Sequence, residues 1–174
     1  FAQTQLLAAL EILQRGDTNV ANMTGSWAGA MGQTQFIPTT YNDYAVDFDG
    51  NSKRDIWHTE ADALASAANY LKASNWQAGV PWGMEVRLAD GFDYALADMS
   101  IRRPLSDWAR LGVTDARGRE ISSHLQDSAT LILPAGHRGP AFLVMNNFRS
   151  ILRYNNSTNY ALAIGLLAER FQGG

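Results

Sequence analysis

The chain has 174 residues, of which 46% are hydrophobic and 18% charged, a balance typical of a globular protein with a sizeable core. Fourteen Lys and Arg residues against seventeen Asp and Glu residues give a net charge of −3, so nucleic acid is not expected as a partner. The absence of cysteine excludes disulfides and thiolate chemistry. No apolar run reaches the roughly 18 residues of a membrane-spanning helix.

Apolar residues recur at helical spacing in the first part of the chain. They predict a helix over 5–15 that stops at Gly16. The buried face of this helix is expected to contain Leu6, Leu10 and Leu13. A short helix is expected over 39–45, opened by Pro38, and Thr59 is a suitable cap for a third helix. The third helix should be substantially buried through Leu64, Ala67, Ala68 and Leu71.

The rest of the chain mixes strand and helix patterns. Strands are predicted over 84–88, 129–133 and 141–144, and helices over 104–111, 146–155 and 158–171. The last helix has an apolar stripe formed by Tyr160, Ile164, Leu167 and Phe171. The expected organisation is a helical part over 1–75, a small mixed α/β lobe over 76–145, and two helices over 146–174 that close the helical part.

Residues 25–38 are too rich in glycine for a plain amphipathic helix. In this stretch two polar side chains, Ser26 and Gln35, stand beside the aromatic residues Trp27 and Phe36. Sugars offer hydroxyls to bond and apolar ring faces to stack, so this combination suggests a saccharide site. The alternative is a tight crossing of two helices, in which small residues serve only close packing.

An acidic loop follows at residues 47–58. It carries oxygen ligands at the positions used by an EF-hand calcium loop, namely the side chains of Asp47, Asp49, Asn51 and Asp55 and the carbonyl of Lys53. Two positions depart from that pattern, because Ser52 replaces Gly and His58 replaces Glu. Asp62, in the next helix, is the candidate for the missing carboxylate. The alternative is an Asx turn closed by its own side chains.

Other catalytic chemistries find little support in the sequence. The three histidines, His58, His124 and His137, are scattered without metal-ligand spacing and are expected to be surface residues. No GxSxG motif, phosphate loop or cysteine nucleophile is present. A glycosidase-type reaction remains as the best interpretation.

Residues 29–38 match the GAxGxxQxxP block of lytic transglycosylases, and the chain from about Gln5 to its end resembles the membrane-bound lytic murein transglycosylase B family. Several further blocks occur in the family's order, at residues 44–50, 68–70, 139–144 and 153–158. The resemblance implies a mainly α (α+β), lysozyme-like fold with a small β-containing lobe. It supports a structural Ca²⁺ in the acidic loop, and it implies no cofactor for the chemistry.

The resemblance also implies an activity and a set of cleft residues. Lytic transglycosylases cleave the MurNAc–GlcNAc β-1,4 bond without water and leave a 1,6-anhydroMurNAc end, with one Glu as acid and then base. In the family that Glu lies upstream of the segment matching Phe1, so this chain alone is expected to be inactive, and Glu11 is a weak substitute. The implied substrate-binding residues are Ser26, Gln35, Tyr70, Tyr154 and Asn155. Taken without the resemblance, the two tyrosines are more typical of core residues.

The implied setting is the periplasm of a Gram-negative bacterium. Peptidoglycan glycan strands are the expected partner, the chain is expected to be monomeric, and membrane association is expected only through an N-terminal lipid anchor outside this chain. A rival interpretation is a non-catalytic saccharide-binding module that keeps the cleft without the acid. A third is a calcium-stabilised structural segment without ligand affinity.

Overall fold

The structure is a computed structural model that describes residues 1–121 and 127–172. His124, expected at the surface, lies outside the described residues. The chain divides into two compact units, Phe1–Ala73 and Ser74–Gly174. The expected association of residues 146–174 with the first helical part stays a prediction. Within the described ranges, no helix has the length and apolar character needed to cross a membrane.

The first unit is helical. Its helices are α1 (Ala2–Arg15), α2 (Pro38–Tyr44) and α3 (Glu60–Ala73), close to the ranges expected from the sequence. Pro38 opens α2 at its first position. Gly16 ends α1 with a φ of 79°, and its N–H donates to the carbonyl of Leu13, which is the left-handed cap that glycine favours.

The predicted buried face of α1 is wrong. Leu6 is 61% exposed and Leu10 is also exposed, whereas Ala8 and Ile12 are buried. The physical reason is the contact with α2, where the small Ala8 side chain permits close approach. On the same face, the Gln5 side chain exchanges hydrogen bonds with Thr39, accepting from its backbone N–H at 3.1 Å and donating to its hydroxyl at 3.0 Å.

The expected burial of α3 is wrong in the same way. Leu64 is 73% exposed, and the buried residues are Asp62, Ala63 and Ser66. Two of these are polar because they accept hydrogen bonds from the preceding loop. Ser66 Oγ accepts the N–H of Val46 at 2.9 Å, and Asp62 Oδ1 accepts that of Phe48 at 2.8 Å.

The second unit is built on an antiparallel sheet. Its strands, in the spatial order β2-β4-β5-β1-β3, are β1 (Gly83–Arg87), β2 (Arg103–Pro104), β3 (Thr114–Asp115), β4 (Ser128–Ile132) and β5 (Ala141–Val144). The helices are α4 (Leu105–Arg110), α5 (Asn146–Tyr154) and α6 (Thr158–Gln172). The expected combination of helices with a small β-containing part is therefore confirmed.

Apolar side chains cover both faces of the central strands. Leu131 and Leu143 pack with Trp108 on one face, while Phe142 and Val144 pack with Phe148 of α5 on the other. This two-sided burial explains why β4 and β5 have nearly continuous apolar sequences rather than an alternating pattern.

The predicted apolar stripe of α6 is buried only in part, because Tyr160 packs against the core of this unit whereas Ile164 and Leu167 are exposed. Ala161, Leu162 and Gly165 are buried instead, whereas the Phe171 side chain is 79% exposed. A Cβ at Gly165 would lie 2.5 Å from the ring of Trp82. Gly165 therefore lets this side of α6 approach the indole, because a side chain at this position would collide with the ring.

Candidate functional site

The glycine-rich stretch forms a compact folded loop rather than a helix crossing. Bridges pair Gly25 with Met31 and Met31 with Phe36, and the N–H of Met31 donates to the carbonyl of Phe36 at 2.8 Å. Met31 and Phe36 are buried, whereas Ser26 and Gln35 are exposed. The loop is thus anchored by apolar side chains and presents its polar ones outward.

Ser26 and Gln35 each keep one hydrogen-bonding group for a ligand. Ser26 Oγ accepts the N–H groups of Ala28 at 3.3 Å and Ala30 at 3.2 Å, and its hydroxyl hydrogen donates to no described residue. Gln35 Nε2 donates to the carbonyl of Gly32 at 2.9 Å, and its Oε1 accepts from none of the residues described. Both side chains are therefore oriented by the loop and still able to bind.

Gln35 also has a strained backbone. Its φ is +55°, a left-handed conformation that residues other than glycine adopt at a cost of about 1 to 2 kcal/mol. Strain of this kind is found most often at functional positions. The conformation therefore supports a binding role for Gln35 independently of the motif.

Trp27 is a further candidate that the resemblance does not imply. Its side chain is 101% exposed, so it contributes nothing to the core, while Phe36 is buried and contacts Tyr70 with ring centroids 5.7 Å apart. The signal available in the sequence was the position of Trp27 beside Ser26, in the stretch that suggested a saccharide site. An exposed indole beside polar groups is a suitable stacking surface for a sugar ring.

Tyr70 lies behind the same loop, in an aromatic cluster with Phe36 and Tyr44. The ring of Tyr44 meets Tyr70 edge-on with centroids 4.9 Å apart. Tyr154 is half-buried at the end of α5 in the second unit, and Asn155 follows it, its carbonyl accepting the N–H of Ser157 at 2.7 Å. That Tyr154 and Asn155 share one cleft with Ser26, Gln35 and Tyr70 stays a prediction.

The acidic loop gathers three carboxylates. One oxygen each from Asp47, Asp49 and Asp62 lies within 4.8 Å of the others, and Asp62 is fully buried. Asp47 accepts the N–H groups of Gly50 at 2.8 Å and Ser52 at 2.8 Å, which folds the loop around it. Three oxygen donors of like charge this close together suit a hard divalent cation.

The other predicted ligands are arranged differently. Asp55 Oδ1 accepts the N–H groups of Trp57 and His58, each at 2.9 Å, so Asp55 serves the turn and is not one of the three gathered carboxylates. Asn51 Oδ1 accepts the N–H of Lys53 at 2.9 Å. Ser52 has a φ of +68°, so it adopts the left-handed conformation for which an EF-hand loop uses glycine.

A partly buried ion pair stabilises this part of the first unit, and it was not predicted. Asp17, just after α1, accepts from Arg54 Nη2 at 2.6 Å and from Arg15 Nε at 3.3 Å. The guanidinium of Arg54 lies 4.9 Å from the ring centroid of Tyr41, whose hydroxyl donates to the carbonyl of Arg54 at 2.6 Å. Burial raises the pKa of the Tyr41 phenol far above its usual value, so the phenol stays a neutral donor.

Comparison with known proteins identifies the kind of domain. The family profile described as "Transglycosylase SLT domain" matches residues 1–169. "Membrane-bound lytic murein transglycosylase B" of Escherichia coli (strain K12) is 35% identical over 153 residues, which are 85% of this chain and 39% of that protein.

Solved structures of lytic transglycosylases are similar to this chain as well. SltB3 from Pseudomonas aeruginosa, in complex with NAG-anhNAM-pentapeptide, is 66% identical with a TM-score of 0.95 over 99% of this chain and 46% of that one. The Escherichia coli lytic transglycosylase Slt35, in complex with calcium, is 32% identical with a TM-score of 0.73 over 95% of this chain and 51% of that one. The expected lysozyme-like fold is confirmed. The chain thus spans about half or less of the length of these relatives, and it belongs to the SLT transglycosylase domain family.

Proposed function

We propose that this chain is part of a peptidoglycan lytic transglycosylase, which cleaves the MurNAc–GlcNAc β-1,4 bond and leaves a 1,6-anhydroMurNAc end. The observation that carries the proposal is the loop 25–38, which holds Ser26, Trp27 and Gln35 outward on a buried anchor. Membership of the family and 66% identity to a protein solved with NAG-anhNAM-pentapeptide support it.

In this proposal the loop positions the glycan. The Ser26 hydroxyl donates to an acceptor of the sugar, such as an N-acetyl carbonyl, and Gln35 Oε1 accepts from a sugar N–H or hydroxyl. Trp27 stacks on the apolar face of a ring. In this proposal the general acid is the Glu that the family uses, and we assign that role to no residue of this chain. Glu11 is exposed and its carboxylate accepts from Asn42 Nδ2 at 3.0 Å, so the proposal gives it no catalytic role.

The proposed setting follows from the substrate. Glycan strands of peptidoglycan are the partner, and the periplasm is the compartment in which a Gram-negative bacterium keeps them. We propose that the chain acts as a monomer.

Replacing Gln35 with Ala is expected to weaken the binding of a chitooligosaccharide by about 1 to 3 kcal/mol, the usual cost of removing a hydrogen-bond partner in a desolvated site. The free energy of unfolding should change little, because Ala inherits the same strained backbone. Gln35→Gly should also lose binding while raising the stability, since glycine relieves the left-handed strain. Titration calorimetry and urea unfolding measure the two quantities.

Gln33→Ala is the matched control, because Gln33 is an exposed neighbour whose side chain donates to the carbonyl of Trp57 instead. It should leave saccharide binding intact. Unchanged binding of Gln35→Ala combined with a large loss of stability would show that Gln35 is a structural residue. The activity itself is tested by incubating the full-length protein with sacculi, where absence of anhydromuropeptides in the mass spectrum would contradict the reaction.

We also propose that the acidic loop binds a structural Ca²⁺ through Asp47, Asp49 and Asp62, with Asn51 and the carbonyl of Lys53 completing the ligand set. Asp55 acts on the turn instead. The gathering of three carboxylates within 4.8 Å and the relative Slt35, solved in complex with calcium, support this site. Such an ion would hold α3 to the loop that precedes it and take no part in the chemistry.

Calcium is expected to stabilise the chain, but weakly, because the bidentate Glu of an EF-hand is replaced by His58. With a Kd of about 0.5 mM, 5 mM Ca²⁺ should raise the free energy of unfolding by about 1.4 kcal/mol. Thermal melting of the wild type, Asp49→Ala and the control Asp43→Ala checks this. Only Asp49→Ala should lose the rise in melting temperature on addition of Ca²⁺. Equal melting temperatures of the wild type with and without Ca²⁺ would show that the loop is a turn without a metal site.

A further inference from the structure

We infer that a polar groove beside α5, in the second unit, binds a carboxylate of a peptide; on the function proposed above, this is the peptide carried by the glycan. The groove has a volume of about 250 Å³ and no acidic residue in its lining. We call it the arginine groove, and its lining residues are Ser74, Asn75, Gln77, Asn146, Arg149, Ser150 and Arg153.

One face of α5 supplies the charge. Asn146, Arg149 and Arg153 are spaced three and four residues apart, so they follow one another along the same side of the helix. Two positive charges four residues apart repel and lower the stability of a helix. The chain carries a net charge of −3, so this positive groove runs against its overall balance and attracts an anion.

The opposite wall of the groove is fixed to α5 by buried polar contacts. Asn147 is fully buried; its Oδ1 accepts the N–H of Gln77 at 2.7 Å, and its Nδ2 donates to the carbonyls of Gln77 at 2.8 Å and Val80 at 2.7 Å. The hydroxyl of Ser150, also buried, donates to the carbonyl of Ser74 at 2.8 Å. The groove is therefore a built feature that does not have to be ordered by its ligand.

Arg149 is oriented and still has donors to offer. Its Nη2 donates to the carbonyl of Met99 at 2.8 Å and to the hydroxyl of Thr130 at 3.1 Å. Its Nε and Nη1 donate to no residue within the described ranges. A guanidinium held in this way loses little entropy when it receives a carboxylate, and hydrogen bonds between charged groups are the strong ones.

The neighbouring depression favours a peptide over a small anion. It shares Gln77 and Asn146 with the arginine groove and continues to Arg102 and Asp127, in a volume of about 220 Å³. Asn146 Nδ2 donates to Gln77 Oε1 at 3.3 Å, which sets two amide side chains along the path. Amides pair with the N–H and C=O groups of an extended peptide, while Asp127 disfavours further negative charge. A peptide ending in a carboxylate suits this sequence of groups better than phosphate does.

The test is titration calorimetry of this chain with four probes. They are a free pentapeptide of the peptidoglycan type, the same peptide with its carboxylates amidated, the disaccharide without peptide, and inorganic phosphate. Arg149→Gln is expected to weaken the binding of the free pentapeptide about tenfold, because it removes one charged hydrogen bond. It should leave the affinities for the amidated peptide and the disaccharide unchanged. Arg149→Lys should restore part of the affinity. Arg138→Gln, which removes an exposed charge outside the groove, should change nothing.

The outcomes separate this inference from the proposed function. If the wild type does not bind the disaccharide, the proposed function is contradicted. The free pentapeptide still tests the arginine groove by itself. Equal affinity for the free and amidated peptides, or equal effects of Arg149→Gln and Arg138→Gln on binding, would contradict a carboxylate site in the arginine groove. If millimolar phosphate competes with the pentapeptide and its binding depends on Arg149 in the same way, the ligand is a small anion rather than a peptide.

Discussion

Replacing Gly32 with Ala is expected to lower the free energy of unfolding by about 2 to 5 kcal/mol. Gly32 has a φ of +60°, where a Cβ costs about 1 to 2 kcal/mol. That Cβ would also lie 2.7 Å from the carbonyl oxygen of Ile56 and 2.8 Å from its Cγ1, and overpacking adds about 1 to 3 kcal/mol. The Ile56 carbonyl accepts the N–H of Gln33 at 2.9 Å, so it cannot move aside without losing this bond.

Gly29→Ala is the matched control for this prediction. Gly29 lies in the same loop with a φ of +83°, but its Cβ would meet nothing closer than Pro38 Cδ at 4.0 Å. Gly29→Ala should therefore lose only the stability that the left-handed strain costs, about 1 to 2 kcal/mol. Urea unfolding of the wild type and both variants measures the difference, and equal losses for the two variants would show that the contact with Ile56 carries no weight.

The fold shows which part of a sequence pattern is informative. Helices and strands follow from apolar periodicity and from caps such as Gly16, because both act locally. The buried faces of α1 and α6 do not follow, since the packing side is chosen by small residues such as Ala8 and Gly165, which let a neighbour approach. Leucine spacing therefore predicts that a helix forms, but it does not predict which face of the helix is buried. β2 and β3 have two residues each, too few for a pattern, and depend on distant partners.

The candidate sites also differ in whether they depend on local sequence or on distant contacts. The loop 25–38 and the three gathered carboxylates could be anticipated, because glycine positions and ligand spacing lie within short stretches. The role of Asp55 in the turn could not be anticipated, since it depends on two N–H groups of the turn that donate to its oxygen. The arginine groove depends on Asn147 bonding to residues about 70 positions earlier, and no local pattern records such a contact.

Replacing Asp17 with Asn is expected to lower the free energy of unfolding by about 2 to 3 kcal/mol at pH 7, because it leaves the Arg54 guanidinium without its counter-ion. The side chain of Arg54 is 21% exposed and that of Asp17 is 6% exposed, so water recovers only part of the loss. Asp107→Asn, which breaks the more exposed pair with Arg110, is the control and should lose less than about 1 kcal/mol.

The effect of Asp17 should also depend on pH. Burial pushes the pKa of its carboxyl upward, but the hydrogen bonds and charge of Arg54, with a further hydrogen bond from Arg15, outweigh burial and hold the pKa below its usual value. A carboxyl with a lowered pKa in the folded state stabilises fully above its unfolded value, about 3.9, and loses that contribution as the pH falls through the folded value. Urea unfolding between pH 7 and pH 2 should therefore bring the wild type and Asp17→Asn together at the acid end. A constant gap across that range would show that the destabilisation comes from packing rather than from charge.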